Sequence, residues 1–222
     1  MAERYRVSAI VFDLDGVLVD SMPAIREYWT DWARRHGVTA EVVLASLHLT
    51  AEELIRKFAP NLDPRTEARA TAAGQAKMET GIVALEGSRA LIDRLPRNGW
   101  AVVTSARREL ALRHLALGHL PVPDVLITAE DTPRGKPDPA CYLLAAERLA
   151  IPPTRCLAIE DSPAGIRAAR SAGMIVLGVT DSQHATELVE ADAIINSLDA
   201  LRLTVIQEGM PIEVFVSSER SF

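Results

Sequence analysis

Five short continuous runs rich in Val, Ile and Leu constrain the fold most: "VSAIVF" (7–12), "WAVVT" (100–104), "DVLIT" (124–128), "RCLAIE" (155–160) and "MIVLGV" (174–179). A strand with one wet face alternates apolar and polar residues. Continuous runs predict strands covered on both faces, as in a parallel sheet between helices. Helical patterns fill the intervals at 88–95, 107–117, 138–150 and 162–173. Asp138 with Pro139, and Ser162 with Pro163, have the form of an N-cap followed by a first-turn proline, and Gly173 suits a helix C-terminus. This rhythm predicts an α/β fold, a right-handed doubly wound parallel sheet.

One region breaks the rhythm. From Ser21 to about Val83 no strand pattern occurs. Instead "SMPAIREYWTDWARRHG" sets Ile25, Trp29, Trp32 and His36 at helical spacing, and "AEELIRKF" and "PRTEARATAAGQAKME" are also helical. The expected organisation is a core made of residues 1–20 and 84–222, with an inserted all-α domain at 21–83. The stretch "LTVIQEGMPIEVFVS" (203–217) carries two β-prone runs around Glu208-Gly209 and predicts a terminal hairpin.

Composition narrows the function. The 222 residues carry a formal charge of −6, which speaks against a nucleic-acid or membrane-surface binder, since both favour a basic face. No stretch approaches the roughly 20 apolar residues of a transmembrane helix. The start, "MAERYRVSAIVFD", lacks the apolar segment and cleavage site of a signal peptide. Cys141 and Cys156 fall in no C-x-x-C or zinc-type spacing, so buried, reduced thiols of a cytoplasmic protein are expected. A monomer is the default.

In an open α/β sheet, ligands bind outside the carboxyl ends of the strands. The first strand ends at Asp13, the second at Thr104-Ser105 and the fourth at Glu160-Asp161, and the loop "AEDTPRGKPDP" adds Lys136. Carboxylates converging on one rim would repel one another unless a cation sat among them, and hard oxygen ligands beside a phosphate favour magnesium. A lysine and paired hydroxyls suit a phosphate group. Asp13 can attack phosphorus to give an aspartyl-phosphate. Asp15, two residues on in extended chain, points to the same side, where it can protonate the leaving oxygen and then activate water.

The segments "DLDGVLVDS", "VVTSA", "RGKPDP" and "IEDSPAG" resemble, in order and spacing, the four motifs of the haloacid-dehalogenase superfamily. The resemblance implies a Rossmann-like core with a helical cap inserted after the first motif. Within the superfamily, "TAEDTPRGKPDPACYLLAAERL" and the terminal hairpin are most similar to sugar- and polyol-phosphate phosphatases. It further implies Asp13 as nucleophile and Asp15 as acid/base. Magnesium would be held by the Asp13 carboxylate, the Asp15 carbonyl and Asp161, with Glu160 bound directly or through water. Thr104 and the Ser105 N–H would hold the phosphoryl group, Lys136 would neutralise it and orient Asp13, and Asp20-Ser21 would lie in the linker to the cap.

Other residues are weighed against that frame. Trp29 and Trp32 suit the core of the helical region. His36, His114, His119 and His184 form no metal spacing and are expected to be structural or exposed. Caps of this group often carry a His-Gly pair facing the active site; here His48 is followed by Leu49, and His48 is a candidate substrate contact. Sugar phosphomutases of the β-phosphoglucomutase type share all four motifs but resemble one another in a histidine five residues after the linker aspartate, where this chain has Ile25. Phosphonoacetaldehyde hydrolase would need a cap lysine, and residues 22–55 contain none. The expected activity is therefore magnesium-dependent hydrolysis of a small phosphate ester. Phosphoglycolate is an alternative substrate, less favoured because the cap offers no basic cluster for a second carboxylate.

Overall fold

The computed structural model describes residues 3–47, 49–75, 77–78, 81–180, 185–205 and 211–216. In chain order, β1 (Glu3–Val7), β2 (Ala9–Phe12) and β3 (Val19–Asp20) precede four helices, α1 (Met22–Arg35), α2 (Ala40–Leu44), α3 (Ala51–Phe58) and α4 (Pro64–Gln75). Then come β4 (Val83–Ala84), α5 (Ser88–Ile92), β5 (Trp100–Val103), α6 (Arg108–Leu117), β6 (Leu126–Ile127) and α7 (Ala140–Leu149). The chain continues through β7 (Cys156–Glu160), α8 (Pro163–Ser171), β8 (Ile175–Val179), β9 (Ala193–Ile195), β10 (Leu201–Val205) and β11 (Ile212–Val216).

Six strands form one parallel sheet in the order β6-β5-β2-β7-β8-β9. The unbroken apolar runs have a direct cause here, because successive side chains on a strand face opposite sides. Ile10 and Phe12 join Val102, Leu157, Ile159 and Leu177 in the core on one face. Ala9 and Val11 join Ala101, Val103, Ala158 and Tyr142 on the other. The chain moves outward from β2 to β5 and β6, then returns to the far side of β2 for β7, β8 and β9. The reversal opens a crevice at the C-terminal end of β2, the place where this architecture binds ligands.

The first strand, expected over 7–12, runs only over Ala9–Phe12, and an unexpected strand precedes it. Ser8 breaks the run, its N–H donating to the Arg155 carbonyl at 2.7 Å, and β1 enters a separate antiparallel sheet, β1-β11-β10. The physical reason is the alternation of charged and apolar residues in "ERYRV", where Glu3, Arg4 and Arg6 are exposed and Val7 is buried. Such a strand suits a sheet with one wet face. The terminal hairpin is present, with Leu201 opposite Val216 and Val205 opposite Ile212; its Glu208-Gly209 turn lies outside the described residues.

Helices α1 to α4 gather around a cluster of their own, which includes Trp29, Trp32, Val43, Leu54 and Ile55. Trp29 and Trp32 meet edge to face at 5.2 Å, and the Trp32 indole N–H donates to Glu67 Oε1 at 2.9 Å. Thr50 and Glu53 close a reciprocal capping box at the start of α3. The chain leaves for these helices along β3 and returns along β4, which pair antiparallel with Asp20 opposite Val83. Because Trp32 is fully buried, Trp32→Ala should destabilise the helical region by about 3–5 kcal/mol. Urea denaturation followed by circular dichroism checks this; unchanged stability would mean that the indole is not a core anchor.

Candidate active site

Each strand end around the crevice delivers the residue expected of it. The Asp13 N–H continues the ladder to the Ile159 carbonyl at 2.9 Å, and that of Thr104 reaches Ile127 at 2.9 Å. Leu14, between Asp13 and Asp15, is fully buried. The chain then turns tightly, with Gly16 at φ 87° and its N–H on the Val19 carbonyl at 2.8 Å. A side chain at that φ would be strained, so glycine is required. The turn returns the chain to Asp15, where Ser21, the residue before α1, donates its hydroxyl to Asp15 Oδ1 at 2.5 Å.

Lys136 sits at the centre, its side chain 7% exposed. Its ammonium pairs with Asp13 Oδ1, with Glu160 Oε1 at 2.5 Å and with the Val103 carbonyl at 3.2 Å. Glu160 is fully buried and densely engaged. Its Oε1 also accepts from the Tyr142 hydroxyl at 2.6 Å. Its Oε2 accepts from the Asp161 N–H (3.2 Å), the Ser162 N–H (3.3 Å) and the Ser162 hydroxyl (3.1 Å). Ser162 caps α8 as expected, accepting from the Gly165 N–H at 3.1 Å. Helix α7 begins at Ala140, two residues after Asp138, whose carboxylate still accepts the Ala140 N–H at 3.0 Å.

The electrostatics follow from burial and neighbours. Burial pushes the Asp13 carboxyl well up; the Lys136 charge opposes this, while Glu160 and Asp161 reinforce it. Burial alone would lower the Lys136 ammonium, but the Asp13 and Glu160 carboxylates outweigh it and raise it. Burial would raise Asp15, yet its hydrogen bond with His114, the Ser21 hydroxyl and the Lys136 charge hold it below the ordinary range.

Asp13, Glu160 and Asp161 each offer an oxygen within 4.8 Å of the others. This all-oxygen donor set is of the kind that hard divalent cations take. The Asp15 carboxylate stands apart from that set. Thr104 is buried beside Asp13's strand, and its hydroxyl accepts from the Ala106 N–H at 3.0 Å; Ser105 is exposed. His48 lies outside the described residues.

Three side chains that contact the candidate residues escaped the sequence. Ser21 stood in the linker, Tyr142 in a helical pattern, and His114 was expected to be structural or exposed. His114 is in fact buried against the site, its Nδ1 2.6 Å from Asp15 Oδ1. Its place on α6 beside the buried Leu110, Ala111 and Leu115 marks an inward face, but nothing local says what that face meets.

Residues 7–173 match the family described as haloacid dehalogenase-like hydrolase. The chain belongs to that family. It is 38% identical over 212 residues to hexitol phosphatase A of Escherichia coli (strain K12), covering 92% of this chain and 97% of that protein. It is 36% identical over 207 residues to validoxylamine A 7'-phosphate phosphatase of Streptomyces hygroscopicus subsp. limoneus, covering 89% and 96%. In fold it resembles the solved HAD hydrolase, family IA, variant 3 of Entamoeba histolytica HM-1:IMSS, with a TM-score of 0.78 at 23% identity, covering 90% of this chain and 96% of that one. With near full-length relatives of this kind, the chain is an enzyme, a phosphatase of the haloacid dehalogenase-like family.

Gly165 makes the Glu160 arrangement possible. A Cβ there would lie 1.9 Å from Glu160 Oε1 and 2.1 Å from Oε2, inside any permitted contact. Gly165→Ala should therefore displace Glu160 and lower kcat/KM by about 100-fold or more, the loss expected when an electrostatic site is misplaced. Steady-state phosphate release measures this; near-normal activity would show that the Glu160 geometry is dispensable.

Proposed function

We propose that the protein hydrolyses small sugar or polyol phosphate monoesters in the cytoplasm, using magnesium and an aspartyl-phosphate on Asp13. The observation that carries the reading is the buried Asp13–Lys136–Glu160 array at the end of β2, with Asp15 beside it on a separate set of hydrogen bonds. The substrate class is supported by the two named relatives, and the compartment by the free, buried Cys141 and Cys156.

Lys136 engages Oδ1 of Asp13 and leaves the other oxygen to attack phosphorus. As that O–P bond forms, the bond from phosphorus to the sugar oxygen breaks, and Asp15 gives its proton to the departing oxygen. Water then attacks the same phosphorus while Asp15 takes back a proton. The Asp13–phosphorus bond breaks, inorganic phosphate leaves and both aspartates are restored. Thr104 and Ser105 suit the transferring phosphoryl oxygens. The donor set of Asp13, Glu160 and Asp161, with the Asp15 carbonyl, fits magnesium, which supplies charge neutralisation for the phosphoryl group. Helices α1 to α4, within residues 21–83, are read as the cap that shields the ester from water and selects its leaving group.

Hydrolysis is preferred to a mutase reaction because Ile25, where those enzymes carry a histidine, packs against the helical cluster. Phosphate release from a panel of hexitol, hexose, glycerol and glycolate phosphates tests the reading. Release from sugar or polyol esters is expected, falling to background in Asp13→Ala. An isomerised sugar phosphate without phosphate release would establish the mutase instead. Excess chelator should abolish turnover and added magnesium restore it; full activity in chelator would overturn the metal assignment.

A further inference from the structure

The carboxylate of Asp15 is held unevenly. Both of its recorded donors, the Ser21 hydroxyl at 2.5 Å and His114 Nδ1 at 2.6 Å, fall on Oδ1. Oδ2 accepts no hydrogen bond among the described residues. His114 is closed in, with 2% of its side chain exposed, whereas Asp15 keeps 22%. While Asp15 is ionised its carboxylate can only accept, and Nδ1 is then the donor in this contact. With both contacts on Oδ1, Oδ2 is the oxygen free to meet a substrate.

We propose that His114 is a positioning residue: from the buried face of α6 it fixes the rotamer of Asp15 and restricts the transferable proton to Oδ2. The inference rests on the phosphatase reading above and deepens it. In the forward step Asp15 Oδ2–H gives its proton to the departing sugar oxygen as the phosphorus–oxygen bond breaks, and Oδ2 takes a proton from water in the second half. His114 exchanges no proton in either step. Its contribution is geometric, because a carboxyl that is free to rotate would present its proton to the leaving oxygen only part of the time.

The signature of such a role is dependence on the leaving group. A sugar or polyol oxygen leaves poorly and needs the proton, whereas p-nitrophenolate leaves without one. A folding or packing defect lowers turnover of both esters alike. The test measures kcat/KM for a hexitol phosphate and for p-nitrophenyl phosphate, in magnesium, with the wild type, His114→Phe and His114→Asn. The ratio kcat/KM reports phosphoenzyme formation, so slow dephosphorylation does not obscure the comparison. His114→Phe should lose about 100-fold on the hexitol ester, within the range of general acid–base catalysis, with p-nitrophenyl phosphate largely spared. The Asn Nδ2 lies the same two bonds beyond Cβ as the His Nδ1, so His114→Asn should recover most of the loss.

Equal losses on the two esters, no loss, or an Asn variant as impaired as the Phe variant would overturn the inference and leave the phosphatase reading standing. A wild type that cleaves neither ester removes that reading and this inference together. If His114→Phe does not fold, the Nδ1–H proton resonance of wild-type His114 should shift in Asp15→Asn. An unmoved resonance overturns the inference.

Discussion

One buried ammonium governs the site. Lys136 is enclosed with Asp13 and Glu160, and Asp161 stands close enough to act on Asp13. Removing an ion from water costs several kcal/mol unless it is paired and hydrogen-bonded, so Lys136 cannot be buried without its carboxylates, nor they without it. The parallel sheet makes the meeting possible. Its strand order reverses at β2, which brings the ends of β5, β2 and β7 to a single crevice, and the loop before α7 drops the lysine into it. The upward push on Asp13 comes first from burial; the Lys136 charge opposes it, and Glu160 and Asp161 add to it.

Glu160 acts as a strut. Five donors meet its two oxygens: Lys136 and Tyr142 at one, and the Asp161 N–H with two groups of Ser162 at the other. The same carboxylate therefore ties α7, the Lys136 loop and the first turn of α8 into one unit. Ser162 has two duties, capping α8 and holding the strut, and the missing Cβ of Gly165 lets the helix approach that closely.

Much of this was legible in the sequence, for reasons that differ by residue. The doubly covered strands announce themselves because burial on both faces removes polar residues from β2, β5, β7 and β8. The candidate site residues are legible because they follow those strands directly, as Asp13 follows Phe12 and Asp161 follows Glu160. Strands β3, β4 and β9, of two or three residues, are too short to carry a period. β1 was missed because "ERYRV" alternates charged and apolar residues, and only its last residue, Val7, fell within the run at 7–12. His114 failed for another reason: it touches a residue 99 positions away. A histidine on the buried stripe of α6 has the same local pattern whether it meets a leucine or an acid. Ser21 lay in plain view, but only the Gly16 turn brings it onto Asp15.

The ribbon of β3 and β4 has a topological consequence. Asp20 and Val83 are cross-strand neighbours, so the whole stretch between them is a side branch that begins and ends at nearly one point. Cross-strand neighbours lie only about 5 Å apart, the spacing that a two-residue hairpin turn spans without help. The register of the central sheet is thus indifferent to how many helices hang from this point, or in what sequence. Descent could lengthen, shorten or exchange the branch while the reacting residues below stayed in place, so that one chemistry serves many leaving groups.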